Sequence, residues 1–127
     1  MFRVRMGVPY MDNYWKELIQ KKESKSISKD EDQLLKRIAK VIKILMTNPK
    51  HPGLKSHEIK PLSKRYGIKV FQSYLDQGQK ANRLFWVYGP QNLDITIIAI
   101  EPHPNDHRSN PYKSIKLSNL PAADHNE

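Results

Sequence analysis

Arg83 and His103 are the residues whose types and settings point most directly to chemistry. Arg83 opens the strand-like segment RLFWVYG (83–89), and His103 stands between two prolines in EPHP, just after DITIIAIE (94–101). A guanidinium at the head of so apolar a segment has to find an anion, a carboxylate or water, and its parallel N–H donors suit phosphate. A structural salt bridge with Asp76, Asp94 or Glu101 fits the same pattern equally well. Imidazole exchanges a proton near neutral pH, and Pro102 and Pro104 narrow the backbone freedom of His103. His57 is a second candidate for proton transfer. It lies in PKHPGLKSHEIKPLSKRYGIK (49–69), where Lys50, Lys55, Lys60, Lys64, Arg65 and Lys69 accompany a single acid, Glu58. A loop that tracks phosphates has this composition, and so does a merely solvated face.

Other chemistries lack their residues. There is no cysteine, hence neither disulfide nor thiolate metal site, in keeping with a cytoplasmic protein. The five glycines are scattered and form no phosphate-cradling loop, and no GxSxG elbow occurs. Asp30-Glu31-Asp32 reads as the acidic start of a helix rather than a magnesium site. His103 and His107 have helical metal-pair spacing, but Pro104 and Asn105-Asp106 break a helix there, so neither a metal nor a small-molecule cofactor is expected. If the chain is an enzyme, metal-free acid–base chemistry on an RNA phosphodiester is the best match. RNA brings its own nucleophile, the 2′-OH. The protein has only to remove one proton, return one to the departing 5′-oxygen and stabilise the crowded phosphate with fixed positive charge.

The elements that must carry these groups are legible in the periodicity. Twenty-two Lys and Arg against thirteen Asp and Glu give 127 residues a net charge of +9, which favours polyanionic partners. The longest apolar run, Ile97 to Ile100, is far short of a membrane span, and the N-terminus has no secretory signal pattern. Phe2, Val4 and Met6 alternate with Arg3 and Arg5 as a short strand does. Met11, Tyr14, Trp15, Leu18 and Ile19 make one helical stripe; Leu34, Leu35, Ile38, Val41, Ile42 and Leu45 make another. Ser28 and Glu31 stand at capping-box spacing before the second helix, and Asn48-Pro49 ends it. Residues 49–69 read as a loop or short irregular elements. IKVFQSYL (68–75), RLFWVYG and DITIIAIE then form consecutive antiparallel strands, with Phe71, Ser73 and Leu75 facing the core and Gln72 and Tyr74 exposed. The expected fold is α+β: two antiparallel N-terminal helices packed on one face of a small antiparallel β-sheet, with a groove on the other. PYKSIKLSNLP adds a short strand or lies across the sheet. Residues 1–120 form one domain and 121–127 a disordered tail.

The helix ending in NPKHPGLKSHEI, the strand ANRLFWVYGP, ITIIAIEPHP and the closing YKSIKLSNLP together resemble the RelE/ParE superfamily of bacterial toxin–antitoxin toxins. The resemblance implies a cytoplasmic, ribosome-dependent mRNA endoribonuclease, silenced by a cognate acidic antitoxin and needing no cofactor. It makes Arg83 the phosphate ligand, His103 the acid, His57 of LKSH the base with Lys55 beside it, and Tyr112 a base-stacking platform. Lys50, Lys55, Lys64, Arg65, Lys69 and Tyr74 are then the RNA-binding set. One departure stands out. Where RelE proper presents two strand lysines, this chain has Gln72 and Tyr74, so the base falls to His57 or Tyr74, or cleavage is weak or absent. The alternatives are a ParE-like toxin that binds gyrase without cleaving, and a non-toxic RNA- or protein-binding relative.

Overall fold

In the computed structural model, which describes residues 1–76, 82–102 and 115–123, the two apolar stripes become helices α1 (Tyr10–Glu23) and α2 (Lys29–Thr47). The capping box forms as the spacing predicts. The Ser28 hydroxyl accepts from the Glu31 N–H and the Glu31 carboxylate accepts from the Ser28 N–H, both at 3.1 Å. Lys21 and Lys22 at the end of α1 reach Glu31 and Asp32 at 2.8 and 2.7 Å, which fastens the two helix ends across their linker. The Lys21 ammonium and the Ser28 hydrogen bonds hold the Glu31 carboxyl at about 2.

The sheet has five strands, β1 (Arg3–Met6), β2 (His57–Glu58), β3 (Phe71–Tyr74), β4 (Asn82–Tyr88) and β5 (Asp94–Pro102), in the order β1-β5-β4-β3-β2. Strands β3, β4 and β5 form the expected antiparallel hairpins. The sheet as a whole is mixed, not antiparallel, because β1 lies parallel to β5 in the register Arg3↔Asp94 through Met6↔Ile97. A four-residue alternating segment carries no signal of direction; charge supplies it here. Arg3 donates to both Asp94 carboxylate oxygens at 3.1 Å and Arg5 lies 3.6 Å from the second, so the start of β1 is fastened to the start of β5.

Strands β4 and β5 are covered on both faces. Leu84, Trp86, Ile95 and Ile97 pack against α1 and α2 through Leu18, Ile38, Val41 and Leu45. Phe85, Val87, Ile98 and Ala99 face the other way, where the sequence leads one to expect an open groove, and meet Ile59, Leu62, Val70 and Ile115. The cover comes from a helix that the composition of residues 49–69 hides, α3 (Lys60–Tyr66). Pro61 sits in its first turn, where a missing N–H costs nothing, and Gly67 ends it at φ 96°. From Ile115 onward the chain lies across this same face. The Ser118 N–H donates to the Ile98 carbonyl and Asn119 bridges to Val8. Gly7 is required at this crossing, since a Cβ there would lie 2.6 Å from the Ser118 Cβ. Residues 121–123 carry no regular structure, and the rest of the expected tail lies outside the described residues.

A bulge interrupts the β4–β5 ladder: Phe85 pairs with Ala99 and Trp86 with Ile97, which leaves Ile98 as the extra residue. Ile98 and Ala99 therefore serve the same layer, while Ile97 serves the other. Among the described residues no helix is long and apolar enough to cross a membrane.

The Arg3 hydrogen bonds hold the Asp94 carboxyl below its ordinary value. The folded chain thus takes up this proton later than the unfolded chain as pH falls. Its contribution is complete at neutral pH and is lost as pH drops through the ordinary carboxylate range toward the folded value. Asp94→Asn is expected to lower stability by about 1–3 kcal/mol at pH 7. In urea unfolding, the gap between variant and parent should close as pH falls toward 3; a gap that persists would contradict the assignment.

Candidate functional site

The residues singled out for chemistry fall on two sides of β3. On the α3 side, the ladder sets Tyr74, Arg83 and Glu101 opposite one another across β3, β4 and β5. Arg83 is 4% exposed; its Nη1 donates to the Gln72 Oε1 at 3.0 Å, and its Cζ lies 5.4 Å from the centre of the Phe85 ring. Gln72 faces away from the helix pair as the alternation predicts, but it is 2% exposed instead of open to solvent. The reason is the cover on this face, which turns an expected surface position into an interior one where the amide oxygen accepts from the guanidinium. Of the three carboxylates foreseen as partners of Arg83, Asp94 is engaged by Arg3 and Arg5, and Asp76 accepts from Arg37 and Asn82. Glu101 is the one that stands opposite it in the ladder.

His57 occupies the adjoining edge strand β2, paired in register with Gln72. Its ring is exposed, with Nδ1 3.2 Å from the Lys55 carbonyl oxygen and its centre 6.4 Å from that of Tyr74. Ser56 beside it faces the other way and shares a 2.6 Å hydrogen bond with Ser73, whose hydroxyl also accepts from the Trp86 indole N–H. His57 thus sits at the seam between the sheet's two faces.

On the helix-pair side of that seam is a cleft of about 680 Å³. Lys50, Lys55, Lys69, His51 and His57 line it together with Phe71, Trp86 and Tyr88 and the prolines Pro49 and Pro52. No acid is among its described lining residues. The basic wall is built by the turn after α2. There the His51 Nδ1 accepts from the Gly53 N–H at 2.9 Å, Pro52–Leu54 form a short 3₁₀ turn, and Lys55 takes a left-handed conformation at φ 50°. The aromatic wall is a ladder across β3 and β4. Phe71 stacks on Trp86 with ring centres 4.8 Å apart, and Tyr88 meets both edge-on at 5.7 and 5.1 Å. Burial raises the Tyr88 hydroxyl above its ordinary pKa.

Of the expected RNA-binding set, Lys50, Lys55 and Lys69 therefore converge, with His57 on the rim. Tyr74 lies across the seam near His57. Lys64 and Arg65 ride on α3 against the opposite face, where Arg65 donates to the Ile115 carbonyl. His103 and Tyr112 lie outside the described residues. Sequence reasoning passed over the aromatic wall. Alternation in RLFWVYG puts Trp86 and Tyr88 on one face, which is the signal the sequence offers; the register of β3 against β4 puts Phe71 beside them. Among the described residues no group of three His, Asp or Glu is arranged to hold a metal ion. Comparisons with protein-family models, with curated proteins and with solved structures give no match to this chain.

The Gln72–Arg83 hydrogen bond is buried, so Gln72→Leu removes an acceptor where water cannot replace it. The substitution should cost about 1–3 kcal/mol, measured by urea unfolding. A neutral result would mean that Arg83 is held by other groups alone.

Proposed function

We propose that the chain is a RelE-like toxin that cleaves mRNA on the ribosome by metal-free acid–base chemistry and is silenced by an acidic antitoxin. The observation that carries the reading is the placement of His57 at the seam, between a cleft rich in lysine and aromatic side chains and the strand row that holds Gln72, Tyr74 and Arg83. In this mechanism His57 takes the proton of the 2′-OH. Arg83, whose guanidinium donates to the Gln72 amide oxygen, stabilises charge on the phosphate. His103 protonates the departing 5′-oxygen, which leaves a 2′,3′-cyclic phosphate, and Tyr112 stacks on a neighbouring base. The lysines of the cleft hold the flanking phosphates.

A second reading draws on the burial of Arg83 and its position opposite Glu101, a setting that suits a structural cation. On that reading the chain is a ParE-like toxin that acts by binding gyrase and cuts nothing.

Controlled induction in growing cells, with mRNA 5′ ends mapped, separates the two. The nuclease reading expects growth arrest with new 5′ ends inside translated coding sequence. His57→Ala should reduce those ends by about 10²- to 10⁴-fold, the range for loss of a general base. Arrest with DNA damage and intact transcripts would instead favour gyrase binding.

A further inference from the structure

We infer that the cleft between the Pro49–Pro52 turn and the Phe71–Trp86–Tyr88 ladder is a slot for one unstacked base of single-stranded RNA, whose flanking phosphates are held by Lys50, Lys55 and Lys69. This extends the reading above, since it supposes an RNA ligand, but it needs no cleavage and uses neither Arg83 nor His103.

The occupant follows from the two walls. Three exposed ammonium groups with no acid among the described lining residues call for an anion, and a phosphodiester on either side of a base supplies one at each flank. An aromatic wall beside them calls for a flat π-system. Stacking tolerates any base, because every base has a π-face. The volume lies within the roughly 300–1,000 Å³ typical of sites for ligands of this size. Tyr88 is the reachable member of the ladder at 37% exposure, while Trp86 beneath it is buried and Phe71 partly so. The strand also has somewhere to go. A second hollow of about 690 Å³ shares Pro49, Lys50 and Tyr88 with the first and runs on to Phe2, Gln91 and Asn92, with room for a following nucleotide. A duplex keeps its bases paired and stacked and cannot offer one to a slot of this kind.

The test uses the full chain and a fluorescent 12-nucleotide 2′-O-methyl oligouridine, whose blocked 2′ position prevents cutting, so that binding is read apart from cleavage. Fluorescence anisotropy should show the single strand bound more tightly than a duplex of equal length. Tyr88→Leu keeps apolar bulk but removes the ring, and should weaken binding about tenfold with the salt dependence unchanged; Tyr88→Phe should bind as the parent does. Replacing Lys50, Lys55 and Lys69 together by Gln should lower the slope of log affinity against log salt by about 2. This variant also tests the slot if Tyr88→Leu does not fold. Equal binding of duplex and single strand, an unchanged affinity in a folded Tyr88→Leu protein, or an unchanged salt slope in the lysine variant would overturn the inference. So would tighter binding of a polyglutamate peptide than of the oligonucleotide, which would assign the cleft to an acidic protein segment. A null result for His57→Ala in cells would leave the slot intact, and loss of the slot would leave the cleavage assay to stand on its own.

Discussion

The apolar character of β4 and β5 on both faces is the constraint from which the remaining arrangement follows. Trp86 and Leu84 on one side and Phe85 and Val87 on the other are all removed from water, and each such side chain contributes about 1.5–3 kcal/mol only if something covers it. The helix pair can cover one face. The other recruits α3 and the chain from Ile115 onward, which is why a lysine-rich stretch folds back as a helix and why Ser118 binds the Ile98 carbonyl. Arg83 and Gln72 are among the polar residues caught on that covered face, and the hydrogen bond between them offsets part of the desolvation that the apolar neighbours impose.

Strand β3 divides the functional residues between two surfaces by simple alternation. Phe71 and Ser73 look toward the helix pair, and the first of these belongs to the cleft; Gln72 and Tyr74 look toward α3. The hydroxyl of Ser73 links both Ser56 and the Trp86 indole, so the loop that bears the lysines is coupled to the aromatic wall through one small side chain. His57, at the end of that loop, adjoins both surfaces.

Much of this was legible in the chain. The stripe of α2, its capping box and its stop at Asn48-Pro49 each arise within a few residues, and local physics sufficed to find them. The three main strands announced themselves by β-branched and aromatic runs. What was hidden depends on contacts distant in sequence. Helix α3 is seven residues with three basic side chains, anchored by Leu62 and by Ile59 at its N-cap, so its periodicity is too short to stand out. The parallel direction of β1 depends on Asp94, some ninety residues away. The burial of Gln72 depends on that same unforeseen cover; alternation puts it on the face away from the helix pair, which the sequence leaves open to solvent. The convergence of Lys50, Lys55 and Lys69 was anticipated as composition; the aromatic wall they face required the register of β3 against β4.

The single extra residue in β5 sets the parity of everything after it. Counting by twos from Ile95, position 101 would fall on the helix-pair face; because Ile98 is spent without a partner, Glu101 instead joins Arg83 and Tyr74. One inserted or deleted residue between Ile97 and Glu101 would therefore exchange the two faces for the end of this strand, whereas a change of two would preserve them. The length of β5 is thus constrained in its evenness more tightly than in its extent, and that evenness decides which surface the carboxylate of Glu101 confronts.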